Sequence, residues 1–152
     1  MSLRLGFLLL SLVLLVSTCK KDEPDQAAID QALIEQYLSD NGISAQTHSS
    51  GLYYVITKEG SGGNPPPSAS VEVKYKGYLL DGTVFDQTTG GNAVNFPLSD
   101  LIPGWQIGIP LLKKGGAGVF YLPSRLGYGP FPQPNIPANS VLIFEIELLD
   151  FY

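Results

Sequence analysis

The chain has 152 residues, room for one ordinary domain and a short appendage rather than for two independent cores. A net charge of −5 with only 15% charged residues leaves no basic surface able to neutralise a run of phosphates, which argues against nucleic acid as a partner. One Cys and one His argue against an internal disulfide and against a metal cluster, while 17 Gly, 12 Pro, 7 Phe and 8 Tyr suit a β-rich domain with tight turns.

Arg4 precedes an apolar stretch, Leu5 to Val16, that is too short to span about 30 Å of hydrocarbon and reads as the core of a secretory signal. Val16-Ser17-Thr18-Cys19 resembles the lipobox of bacterial lipoproteins. That resemblance implies a signal peptide over 1–18, acylation of Cys19, and a lipid-anchored protein of the bacterial cell envelope, at the outer membrane and either periplasmic or surface-exposed. Two or more acyl chains hold a protein durably at a bilayer, whereas one does so only marginally. Lys20-Lys21-Asp22-Glu23 resembles the acid-containing export tags of Bacteroidetes-type surface lipoproteins.

Residues 19–50 read as a tether and an amphipathic helix. Between Pro24 and Asn41, Ala28, Ile29, Ala32, Leu33, Tyr37 and Leu38 recur at three- and four-residue spacing and predict one apolar stripe. Asp22 or Asp25 can cap its start and Asn41-Gly42 can end it. Such a helix must bury its stripe, either on the following domain, which is the default, or on a second copy of itself in a homodimer through the 24–41 helix.

From residue 51 to 152 the pattern changes to short strand-like runs broken by turn residues. Strands are expected over Leu52–Lys58, Val71–Leu80, Gly118–Leu122 and Val141–Leu149, with Asp81-Gly82 as a hairpin signal. Gly60–Ser68, with Pro65-Pro66-Pro67, reads as a stiff surface connection. One short helix is expected over Gly104–Lys114, with Pro103 at its start, Gly115-Gly116 after it, and Trp105, Ile109 and Leu112 facing inward. The class is therefore α+β, an antiparallel sheet wrapped over one short helix and preceded by an N-terminal helix.

Gly115-Gly116-Ala117-Gly118 lacks the order of a phosphate-binding loop, and His48 sits in a polar connector with no Ser or Cys partner in view. The aromatic residues alone would read as core. Their order says more. Val73-Lys74-Tyr75-Lys76-Gly77 leads through Asp81-Gly82 to Val84-Phe85-Asp86. Asn95-Phe96-Pro97-Leu98 and Leu101-Ile102-Pro103-Gly104-Trp105 follow, then Leu122-Pro123 with Tyr128-Gly129, and finally Ile136-Pro137 with Val141-Leu142-Ile143-Phe144. This series resembles the FKBP-type peptidyl-prolyl cis/trans isomerases, over about Leu52 to Phe151.

The resemblance implies an isomerase that needs no cofactor or metal, acts on proline-containing polypeptides and assists their folding in the envelope. Carried over to this chain, it implies catalytic roles for Tyr75, Phe85, Asp86, Phe96, Trp105 and Tyr128, and substrate contacts for Leu101, Ile102, Ile136 and Phe144. Val94 stands where some members carry a further Phe, which implies a lower pocket wall. The competing class is a non-catalytic module of the same fold that holds peptides on a surface lipoprotein.

Overall fold

A computed structural model describes residues 25–152; the apolar stretch over 5–16, Cys19 and Asp22 lie outside the described residues. The Asp25 carboxylate accepts the Ala27 N–H at 3.1 Å and so caps α1 (Gln26–Asp40), satisfying one of the donors that every helix start leaves free. Asn41 closes the far end by donating its side-chain amide to the Tyr37 carbonyl at 2.8 Å, and Gly42 turns the chain away at φ +63°.

Seven strands follow: β1 (Gln46–Thr47), β2 (Tyr53–Lys58), β3 (Ser70–Leu79), β4 (Val84–Gln87), β5 (Val94–Pro97), β6 (Ala117–Leu122) and β7 (Leu142–Phe151). All pairings are antiparallel and the order is β1-β2-β6-β7-β3-β4. β3 is long enough to serve two partners on its second edge: Ser70–Val73 pairs with β5 and Lys76–Tyr78 with β4. The four expected strands are present within two residues at each end; β1, β4 and β5 were not anticipated. Leu79 and Gly82 close the Asp81-Gly82 hairpin, with Gly82 at φ +86° and the Asp81 carboxylate accepting the Thr83 N–H at 2.9 Å.

The period-2 alternation of the strands separates two apolar layers. Val71, Val73, Phe120, Leu122, Leu142, Phe144, Ile146 and Leu148 face the main core with Trp105, Ile109 and Leu112. Tyr53, Tyr121, Val141 and Ile143 point the other way, onto Ile34 and Leu38 of α1. The N-terminal helix therefore docks on the outer face of the sheet. Its buried stripe is only in part the one expected: Leu38 is buried and Ile29 and Tyr37 are half-buried, but the other three positions are not. Asp30, Ile34 and Leu38 face inward, while Ala28 and Ala32 are exposed and Leu33 is 45% exposed. A reading based on hydrophobicity rejects Asp30, and so turns the expected stripe part of the way from the buried one; the Asp30 carboxylate is satisfied inside by Ser124 at 2.6 and 2.7 Å.

α2 (Pro103–Gly108) is shorter than expected, because Pro110 has no N–H to continue the ladder and the chain tightens into a 3₁₀ turn over Ile109–Leu111. The Asn64 side-chain amide donates to the Pro110 and Leu112 carbonyls at 2.9 and 3.0 Å, which pins the proline-rich connector over the end of this helix.

Gly77 faces the main core near the end of β3, where a Cβ would lie 2.6 Å from the Phe85 ring and 2.7 Å from the Phe144 ring. Gly77→Ala is expected to lower unfolding stability by about 1–3 kcal/mol through overpacking. A urea midpoint equal to that of the parent chain would contradict this.

Candidate active site

The sheet, α2 and the β6–β7 loop leave an open cavity of about 470 Å³. β3 supplies Tyr75, β4 supplies Phe85 and Asp86, β5 supplies Phe96 and β7 supplies Phe144. Leu101 and Ile102 come from the turn before α2, Trp105 from its first turn, and Tyr128 and Ile136 from the β6–β7 loop. All ten residues named from the sequence line this one cavity. Val94 does not; it packs into the core beside Val73.

Trp105 forms the floor. Its ring meets Phe144 at 5.2 Å and 89°, Tyr75 at 5.1 Å and 80°, and Phe96 at 6.3 Å and 79°, all edge-to-face contacts that match ring edges to ring faces. Phe85 continues the wall by an 82° contact with Phe144 at 5.5 Å. The Trp105 Nε1–H is buried without a protein acceptor. Trp105 and Phe144 are buried, Phe85 and Phe96 are half-buried, and Asp86 is exposed at the rim.

The polar groups sit at the edge. The Tyr75 hydroxyl donates to the Asp86 carboxylate at 2.6 Å. Burial, with this hydrogen bond, pushes the Tyr75 phenol well above its ordinary range, and burial with the nearby Asp86 charge raises that of Tyr128. Among the described residues, neither the Tyr128 hydroxyl nor the Ile102 N–H is engaged by a protein acceptor, so both donors are free at the cavity. The arrangement can enclose a small apolar ring and donate to carbonyls on either side of it.

Three further lining residues escaped the sequence reading: Asp100, Gln133 and Pro134. For the last two a signal existed. Gln133 and Ile136 exchange backbone hydrogen bonds at 2.9 Å around Pro134-Asn135, with Asn135 at φ +63°, the pattern of a type II turn. That turn swings Ile136 inward and hangs Gln133 and Pro134 over the cavity. Asp100 ends a 3₁₀ turn (Leu98–Asp100), and nothing local distinguishes it from a solvated acid. His48 lies in a turn outside the cavity, its Nδ1 accepting the Ser50 N–H at 3.1 Å.

Residues 62–149 match the family of FKBP-type peptidyl-prolyl cis-trans isomerases. The chain belongs to this family. It is 40% identical over 132 residues to the FKBP-type peptidyl-prolyl cis-trans isomerase FkpA of Escherichia coli, a match covering 86% of this chain and 48% of that one. The crystal structure of FkpA from Escherichia coli superposes with a TM-score of 0.73, covering 82% of this chain and 60% of that chain at 40% identity. A peptidyl-prolyl cis-trans isomerase from Pseudomonas syringae pv. tomato gives the same TM-score at 27% identity, covering 83% and 92%. This chain spans about half the length of the curated relatives it matches. In this FKBP-type chain the cavity lies between β3, α2 and the β6–β7 loop.

The raised phenols give this FKBP-type fold an alkaline signature. The folded chain holds Tyr75 and Tyr128 protonated where free phenols, with values near about 10, ionise. The stability they contribute is complete below about pH 10 and is lost as pH rises above it. Tyr75→Phe is expected to shallow the fall in unfolding free energy between about pH 10 and 12, measured by urea titration. An equally steep fall in the variant would refute the assignment.

Proposed function

We propose that this chain catalyses cis/trans isomerisation of peptidyl-prolyl bonds in proline-containing polypeptides of the bacterial cell envelope, and that lipid on Cys19 holds it at the membrane. The observation carrying the activity is the cavity itself: an aromatic floor and walls, with two unengaged donors at its edge. Rotation about an X–Pro bond must overcome about 18–20 kcal/mol, because twisting breaks the resonance between nitrogen and carbonyl. No bond to carbon breaks and no proton moves. The twisted amide is less dipolar than the planar one, so an apolar enclosure that disfavours the planar form lowers the barrier.

In this reading the prolyl ring rests on Trp105 between Phe85, Phe96 and Tyr75. The Ile102 N–H and the Tyr128 hydroxyl hold substrate carbonyls, and Asp86 fixes the Tyr75 edge through the 2.6 Å hydrogen bond. Leu101, Ile136 and Phe144 complete the apolar lining. Residues 51–152 form the isomerase domain and 19–50 the tether and helix. The face of α1 bearing Ala28, Ala32 and Leu33, exposed in the described residues, is the surface through which two copies would pair.

In a protease-coupled assay on a proline-containing peptide, Asp86→Val and Phe96→Ala are each expected to lower kcat/KM at least about tenfold, or about 1.4 kcal/mol, while remaining folded. Near-parental turnover in both folded variants would point instead to a peptide-binding module whose cavity holds but does not turn over.

The anchor has its own test. Cys19→Ser is expected to release the chain from the membrane fraction, since acylation needs the thiol. Retention that survives a salt wash would show the apolar stretch over 5–16 to be an uncleaved anchor.

A further inference from the structure

We infer that Asp30 of α1 is a positioning residue for Tyr128, and that the helix outside the matched family segment is thereby part of the machinery of the cavity. The inference rests on the isomerase reading above. Asp30 is fully buried, and its carboxylate accepts three hydrogen bonds: the Ser124 N–H at 2.7 Å, the Ser124 hydroxyl at 2.6 Å and the Gln26 side-chain amide at 2.7 Å. Packing alone would be served better by an apolar residue in the same stripe as Ile34 and Leu38, because a buried carboxylate is costly unless fully bonded.

What the carboxylate grips explains its presence. Ser124 opens the loop between β6 and β7, and its carbonyl accepts both the Gly127 and the Gly129 N–H at 2.9 Å. Tyr128 stands between those two glycines and is held from both sides by one carbonyl. The Gly129 carbonyl in turn accepts the Asn139 N–H at 2.8 Å, closing the loop that carries Ile136. The same turn is tied to the Ser50 carbonyl by Arg125. The height of the Tyr128 hydroxyl above Trp105 is therefore set from the opposite face of the sheet, through Asp30 and Ser124.

The test compares the full chain with Asp30→Ala and with Asp30→Asn, which preserves side-chain volume should the alanine variant fail to fold. In the folded variant kcat/KM is expected to fall about fivefold, and the loss to shrink below about twofold in a Tyr128→Phe background, since residues acting through one another are not additive. Amide exchange at Gly127, Gly129 and Asn139 is expected to accelerate at least about tenfold, with Phe144 and Ile146 unchanged. An equal loss in both backgrounds, or unchanged exchange at the three loop amides, would overturn the inference and leave Asp30 a structural contact only. If the parent chain shows no turnover the isomerase reading fails, and the exchange measurement alone decides whether Asp30 holds the loop.

Discussion

Trp105 stands edge-on to Tyr75 and Phe144 at 5.1 and 5.2 Å, and these two contacts set the distance between α2 and the sheet. A larger separation would open the core beneath Ile109 and Leu112; a smaller one would drive the indole into β3 and β7. Tyr75 comes from the middle of β3 and Phe144 from near the start of β7, the two longest strands, which pair with each other from Val71 to Leu79. The cavity is thus the place where the helix starts before the sheet curls over it, and its floor is continuous with the main core. This explains how open aromatic surface is held rigid: Phe85 and Phe96, half-buried, lean on rings that are themselves fixed.

Gly77 belongs to the same constraint. Every other inward position on β3 carries a side chain, yet here the Phe85 and Phe144 rings meet directly over the backbone. β4 can then lie close enough to present Asp86 to Tyr75. A strand that pairs with β5 along its first half and β4 along its second must lose one partner before gaining the other, and Thr88 bridges the gap, accepting the Tyr75 N–H on its hydroxyl at 3.2 Å. The rim of the cavity is built at this change of partner.

The sheet carries a second layer on its outer face, and only part of that face is covered. Tyr53, Tyr121 and Ile143 meet α1, where Tyr37 packs on Tyr121 at 6.0 Å and the Tyr53 hydroxyl donates to Glu35 at 2.8 Å. Farther along, the outer positions are Lys74, Lys76, Glu145 and Glu147, with Lys58 and Glu147 paired at 3.0 Å on the surface. Such an exposed pair contributes little, so the apolar contact with α1 is what stabilises this side.

The sequence by itself determined the fold class, the four long strands, the turn at Asp81-Gly82 and ten of the thirteen residues that line the cavity. It could do so because alternation and turn chemistry are local, and because the aromatic residues occur in a recognisable order. Tertiary structure decided the rest. The strands β4 and β5 are four residues each and take their conformation from β3, not from their own pattern. The length of α2 was readable in principle from Pro110, but the inward face of α1 was not: Asp30 is a charge whose burial makes sense only once Ser124 is brought against it, 94 residues later in the chain. Asp100 became a rim residue for the same reason, since nothing near it in the sequence records which loop will close over the other side.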